Sequence, residues 1–328
     1  MPLVATSAYR PSPILFNGHL QTIVPSTLRR VPEVAYRRER LELPDGDFLD
    51  LDWSLAQPGR RAGRLGIISH GLEGDSSRPY VRGMARALNQ AGFDALGWNY
   101  RGCSGETNRL LRSYHLGDTG DLAAVVRYAA EAQGYPEIML TGFSAGGNVT
   151  LKYLGEYADQ VPPQVRRAAV FSVPTDLRAS SLHISRWQNR VYLRRFMASL
   201  RNKMREKAAY LPGQLDLAEL DALRDFPQFD ERYTAPLHGF ASADDYYAHS
   251  ASGQYLAGIR IPALLVNALN DPFLPASCYP RAVAVASDCF FLETPLAGGH
   301  VGFAEGAPSG SYYSERRAVD FFTRAVPG

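Results

Sequence analysis

An apolar run, Ile138-Met139-Leu140-Thr141, leads into Gly142-Phe143-Ser144-Ala145-Gly146-Gly147, and a helix-compatible stretch follows. A strand that becomes a helix over so few residues has no room for side chains beside the turn, so glycines flank Ser144. The residue at the apex is held in strained backbone geometry, with its hydroxyl lifted clear of the sheet. A chain organised around such a turn is committed to strands that alternate with helices. It also carries a serine placed to act as a nucleophile, which points to acyl transfer. G-x-S-x-G alone is common; the preceding strand and suitable partners downstream give it weight.

A serine nucleophile needs a base, and the base needs an acid to orient it. Residues 261–275 read as a buried strand ending in Asn270-Asp271-Pro272-Phe273. Residues 289–293 read as a further short strand, leading into Ala297-Gly298-Gly299-His300-Val301-Gly302-Phe303. Ser144, Asp271 and His300 are therefore the expected nucleophile, acid and base. The glycines before His300 let its loop come close to Ser144. Asp271 also suits a plain turn before proline, and Glu293 is a weaker rival acid because it sits in or just after a strand. Residues 65–74 are a strand ending in His70-Gly71-Leu72-Glu73-Gly74. The backbone N–H groups of Leu72 and Ala145 are the expected oxyanion donors. His70 then belongs to that loop and is not the base.

Other chemistry-bearing residues read as structural. His115, His183, His238 and His249 fall in the wrong order or in an insertion. Cys103 reads as a small packed residue, with no base evident beside it. His19 and Gln21 would approach the site if the N-terminal arm folds back, but buried hydrogen bonding within the arm is the expected role. No H-E-x-x-H and no paired cysteines occur, so neither a metal nor a cofactor is expected.

The 328 residues are 45% apolar and carry a net charge of +2, enough for a sizeable core and no argument for nucleic acid. Three cysteines make no disulfide framework and suit a reducing compartment; with no leader pattern at the start, the expected location is the cytoplasm. Residues 1–26 read as an extended arm. Residues 33–43 and 48–55 read as two antiparallel strands joined by Pro44-Asp45-Gly46-Asp47. Strands are expected at 65–69, 93–100 and 167–172, and helices at 80–91, 118–133 and from the serine turn to about 158. That alternation implies a mostly parallel sheet with helices on both faces.

The rhythm stops over 174–252, which reads as an inserted helical cap within one domain spanning 1–328. Within 186–207, Leu193, Met197, Leu200 and Met204 recur at helical spacing. This face, or the nearby Trp187 and Phe196, is the expected acyl-facing wall. Arg190, Arg194, Arg201 and Arg205 form the opposite stripe, and residues 216–231 are acidic. Two solvated faces that attract one another are favoured over a membrane-binding helix, although membrane contact through the cap stays open.

Six blocks taken in order resemble the YheT-like α/β hydrolases, related to the eukaryotic ABHD1/ABHD2/ABHD3 group. They are Phe16-Asn17-Gly18-His19-Leu20-Gln21-Thr22, His70-Gly71-Leu72-Glu73-Gly74, Asn99-Tyr100-Arg101-Gly102-Cys103-Ser104-Gly105, Gly142-Phe143-Ser144-Ala145-Gly146-Gly147-Asn148, Asn270-Asp271-Pro272-Phe273 and Gly298-Gly299-His300-Val301-Gly302-Phe303. The first is the most specific. The resemblance implies an α/β-hydrolase fold and a carboxylic-ester hydrolase for short- to medium-chain acyl esters. It places the triad on Ser144, Asp271 and His300. An H-x-x-x-x-D acyltransferase motif fails at His115, because Gly120 stands five residues on. An acyltransferase, thioesterase or amidase on the same triad, or a catalytically silent binding protein, remain the alternatives.

Overall fold

The computed structural model describes residues 3–324 except 5, 33, 307 and 308. Nine strands form one sheet: β1 (Leu3–Val4), β2 (Arg37–Glu42), β3 (Phe48–Ser54), β4 (Arg64–Ser69), β5 (Asp94–Trp98), β6 (Glu137–Phe143), β7 (Val165–Phe171), β8 (Ala263–Val266) and β9 (Phe290–Glu293). Their order is β1-β9-β8-β7-β6-β4-β5-β3-β2. β3 runs antiparallel to both β2 and β5, and the remaining pairings are parallel.

The central strands are apolar throughout because both faces are covered. Ile67 and Leu140 pack on one face with Val149 and Leu154 of the helix after Ser144. Ile68 and Met139 pack on the other face with Met84 and Phe321. Alternate residues of one strand thus feed two separate cores. The helices that cover the sheet include α2 (Pro79–Gln90), α3 (Thr119–Arg127) and α4 (Ala145–Tyr157), and a C-terminal helix, Tyr313–Thr323, lies against α2.

The N-terminal arm departs from expectation. It is not extended: α1 (Gly18–Leu28) is a helix, and Asn17 caps it by accepting from the Leu20 N–H at 2.8 Å. Its buried stripe is Gly18, Gln21, Thr22 and Pro25. The spacing is helical, but the residues are small or polar, so a search for apolar periodicity passes over it. The internal Pro25 argues against a helix as well.

Between β7 and β8 the chain forms the helical cap. α5 (Leu177–Ile184) leads to α6 (Arg190–Tyr210), and short helical segments follow. Leu193, Met197, Leu200 and Met204 all face inward and pack with Leu220, Leu223, Phe226 and Phe229. The arginines flank this face and do not lie opposite it, since Arg201 and Arg205 come one residue after Leu200 and Met204: Arg205 pairs with Asp221 at 2.5 Å, and Arg201 donates to the Leu220 and Leu223 carbonyls. This part of the basic stripe meets the acidic segment as expected.

Two lysines of α6, one largely and one fully buried, tie the cap to loops that follow strands of the sheet. Lys203 pairs with Glu73 at 2.8 Å, in the loop after β4. Lys207, 1% exposed, donates to the Asn108 carbonyl and the Leu110 carbonyl, both at 2.8 Å, and to Asn108 Oδ1. Burial pulls its ammonium down to about 8. Lys207→Met removes these bonds and leaves buried carbonyl oxygens unpaired. It should lower stability by roughly 2–4 kcal/mol in urea melts. Limited proteolysis should then cut first within the cap, and an unchanged melt would refute the anchoring role.

Candidate active site

Ser144 sits between β6 and α4 with φ 53° and ψ −120°. The turn is tight because the start of α4 passes over the ends of β4 and β6. A Cβ on Gly142 would lie 2.4 Å from the Gly146 carbonyl oxygen, and one on Gly146 would lie 2.3 Å from that of Ser69. No other residue fits either place.

His300 Nε2 lies 2.8 Å from Ser144 Oγ, and its Nδ1 lies 2.9 and 3.1 Å from the two Asp271 oxygens. The carboxylate accepts a hydrogen bond from Nδ1–H, which leaves the Nε2 lone pair facing the serine hydroxyl. Asp271 Oδ1 also accepts from the Phe273 N–H at 2.8 Å, and the Phe273 ring lies 4.1 Å from the imidazole. The side chains of His300 and Asp271 are 8% and 0% exposed, so water competes little for these bonds.

The loop after β4 presents its backbone to the same point. Gly71 N–H donates to the Tyr80 hydroxyl and Glu73 N–H to the Tyr114 hydroxyl. Among the described residues, the Leu72 N–H between them has no protein acceptor. Ala145 N–H heads α4 and lies in the first turn of that helix, where intrahelical acceptors are lacking. Leu72, Ser144, Ala145 and His300 all line one cavity.

His70 is fully buried and apart from the base position. Its Nδ1 faces the Gly71 carbonyl at 2.8 Å, and its Nε2 receives the Tyr100 N–H at 3.2 Å. A fixed acceptor and a fixed donor select the neutral ring protonated on Nδ1. Burial depresses its pKa to about 4.

Glu293 is held by Ser7, Tyr313 and Arg317 and does not reach His300. Cys103 Sγ lies 2.9 Å from Lys203 Nζ, and burial pushes its thiol up to about 11. His115 and His238 pack against each other at a tilt in the cavity wall, and His249 stands on the surface. The favoured expectation for the arm fails: α1 folds back so that it reaches both the Asp271 and the His300 loops, and His19 is exposed with its Nδ1 3.1 Å from the Tyr192 hydroxyl of the cap rather than bonded within the arm. Gln21 does bond within the arm, to the Leu15 carbonyl, but its Oε1 accepts from Asn270 and Gly298. The signal was the Asn17-to-Thr22 block itself.

Two cavities meet at Ser144 and His300. The first, about 120 Å³, runs beneath the cap and is walled by Leu177, Ile184, Phe196, Leu200, Met204 and Phe226 among others. The second, about 330 Å³, opens between α1, the loop after β4 and α6, and carries Thr22, Arg78, Arg195 and Ser199. The cap wall thus differs from expectation. Leu193 and Met197 pack inside the cap, and Trp187 is 75% exposed, because a buried stripe does not say which neighbour it faces. Among the described residues, no group of His, Cys, Asp or Glu is placed to hold a metal ion, and no helix is long and apolar enough to cross a membrane.

The chain belongs to the alpha/beta hydrolase fold family, which matches residues 67–307. Within it the chain stands close to the YheT and ABHD1–3 type of esterases and lipases. It is 36% identical over 292 residues to YheT of Escherichia coli, an esterase by name, covering 88% of this chain and 85% of that one. It is 28% identical to the mouse phospholipase ABHD3 over 330 residues, covering 98% of this chain and 80% of the other. In structure it is similar to an esterase of Pyrococcus furiosus, with a TM-score of 0.58, 15% identity and coverage of 88% and 91%. It is also similar to Est1E of Butyrivibrio proteoclasticus bound to ferulic acid, with a TM-score of 0.56, 17% identity and coverage of 88% and 97%. At those identities the structural likeness shows the fold alone.

His70 makes the fold sensitive to acid. An imidazole held neutral in the folded state, with its pKa lowered to about 4, contributes stability that is fully present above about 6.5. That stability is lost as pH falls from there towards 4, because the unfolded chain takes up the proton first. The unfolding free energy from urea melts should drop across this window by an amount on the order of 3 kcal/mol. A His70→Gln variant should show a flatter profile, and equal slopes in both proteins would refute the assignment.

Proposed function

We propose that this chain hydrolyses carboxylic esters of short- to medium-chain acyl groups through a serine acyl-enzyme. The observation that carries the reading is the continuous line Ser144–His300–Asp271, set where two cavities meet. Ser144 Oγ attacks the acyl carbon while His300 Nε2 takes its proton. Asp271 holds the imidazole tautomer and stabilises the imidazolium. The oxyanion rests on the N–H groups of Leu72 and Ala145. The ester C–O bond then breaks, with the proton on His300 passing to the leaving alcohol. Water, deprotonated by the same imidazole, attacks the acyl-serine and releases the acid. No step requires a cofactor.

The apolar cavity under the cap suits the acyl chain, and the larger, more polar one suits the alcohol. The 174–252 insertion acts in this reading as the cover of the acyl side. The relatives named esterase and phospholipase support an ester substrate. The free thiols fit the cytoplasm as the proposed compartment. A thioester or amide would meet the same residues, and an alcohol acceptor could replace water.

Turnover of a soluble short-chain ester should fall by about 10⁶ in Ser144→Ala. It should fall by roughly 10⁴ in Asp271→Asn, where the amide favours the wrong tautomer. Glu293→Gln should leave turnover near wild type. Near-wild-type turnover in a folded Ser144→Ala protein would end the nucleophile assignment, and a crippled Glu293→Gln with a mild Asp271→Asn would move the acid.

The acyl wall makes a separate prediction. On a panel of esters of graded acyl length, kcat/KM should climb by a factor corresponding to about 1 kcal/mol per methylene that fits, then drop where the cavity ends. Leu200→Ala and Met204→Ala should move that optimum to longer chains. Leu193→Ala, which sits in the cap core, should lower stability without moving it. An optimum unchanged in all three variants would show that the acyl chain lies elsewhere.

A further inference from the structure

Helix α1 lies outside residues 67–307, the stretch matched to the family at large, yet it touches both loops that carry the acid and the base. Gln21 is 2% exposed. Its Oε1 accepts from the Gly298 N–H at 2.7 Å and from Asn270 Nδ2 at 2.9 Å. Its Nε2 donates to the Leu15 carbonyl at 2.6 Å. A backbone donor at one end and a backbone acceptor at the other fix which way the amide faces. Asn270 closes the ring, because its Oδ1 accepts from the Gly299 N–H at 3.0 Å. Thr22 adds a second tie: its Oγ1 accepts from the His300 N–H at 2.9 Å and donates to the Gly18 carbonyl at 2.7 Å.

The fit is steric as well. A Cβ on Gly18 would stand 2.0 Å from the Asn270 carbonyl oxygen, and one on Gly302 would stand 1.9 Å from that of Gln21. Pro25 has no N–H to give to that Gln21 carbonyl, so the helix leaves an open edge on which the His300 loop packs.

We propose that α1 is a positioning element for the reaction, and that Gln21 sets the spacing between acid and base. One amide oxygen holds the residue before Asp271 and the residue two before His300. The carboxylate and the ring are thereby kept in register although they sit on separate loops. The proposal rests on the triad reading above. A misplacement of about 1 Å at such a site costs on the order of 100-fold in rate, whereas substrate binding in the two cavities need not change.

The test compares Gln21→Leu and Gln21→Glu with wild type on a soluble short-chain ester and in labelling of Ser144 by a fluorophosphonate. Gln21→Leu keeps the bulk and removes every bond. Its kcat and its labelling rate should each fall about 10- to 100-fold, with KM within about twofold. Gln21→Glu keeps an acceptor for Gly298 and Asn270 but turns a second oxygen towards the Leu15 carbonyl, which only the protonated carboxyl satisfies. It should retain more activity than Gln21→Leu. Thr22→Val should lose rate and Thr22→Ser should recover it, which keeps the test open if Gln21→Leu does not fold. The proposal is overturned if folded Gln21→Leu turns over and labels at wild-type rates. It is equally overturned if the loss is wholly a loss of folded protein, with the remaining fraction labelling normally. Ser144→Ala, run alongside, separates the two readings: activity there sinks the triad itself, whereas an inert Ser144→Ala beside a fully active Gln21→Leu sinks only the positioning role.

Discussion

The hydrogen bond between Ser144 and His300 depends on how closely four stretches of backbone can approach one another. The ends of β4, β6 and β7 and the His300 loop converge within contact distance, and ordinary backbone geometry does not allow it. Ser144, Ser172, Val301 and Phe303 all adopt positive φ, at 54°, 61° and 47° for the last three. Such conformations cost of order 1–3 kcal/mol each and persist only where the surroundings over-determine them. Here the surroundings are a sheet buried on both faces. Ser172 shows how a strained residue is put to use: its hydroxyl accepts from the Val301 N–H at 2.8 Å and so braces the loop that carries His300.

That dependence explains what could be read in the sequence. The strands and the serine turn announce themselves because a doubly covered sheet demands continuous apolar runs and the turn demands glycine. Asp271 and His300 are legible for a related reason: each follows a strand whose burial is plain. The structure then puts all three within hydrogen-bond reach, while Glu293, the rival acid, is committed to Tyr313 and Arg317. Helix α1 is illegible by the same rule. Its buried face is Gly18, Gln21, Thr22 and Pro25, and it is buried against loop backbone, whose N–H groups call for polar partners rather than apolar ones. Apolar periodicity detects helices that pack on a core and misses a helix that packs on loops.

The cap shows a second limit. Helical spacing singled out Leu193, Met197, Leu200 and Met204, and all four are buried. Only Leu200 and Met204 reach the cavity, with Phe196 from the flank of the helix. Periodicity gives the angle at which a side chain leaves the helix. What that side chain meets depends on where the second half of the cap folds back, and sequence spacing holds no record of it.

The buried pair between Glu73 and Lys203 joins these parts. Glu73 follows Leu72 in the loop after β4, and Lys203 lies on α6 in the cap. Burial would raise the Glu73 carboxyl, but the lysine beside it, together with hydrogen bonds from Tyr114 and Ser199, outweighs that and holds it below its usual range. Burial would likewise lower the lysine, and its contacts with Cys103 and Glu73 hold it raised. Ser199 and Tyr114 donate two further bonds to the carboxylate. A buried pair is weak evidence of net stability, because desolvation offsets much of the attraction. Its stronger consequence is geometric, since breaking it leaves an uncompensated charge, so α6 and the loop after β4 are held in one arrangement. The Leu72 N–H belongs to that loop, and the apolar wall of the cavity belongs to α6. The position of the cap and the aim of the proposed oxyanion donor are therefore fixed by the same ion pair, as the positions of the acid and the base are fixed by one glutamine.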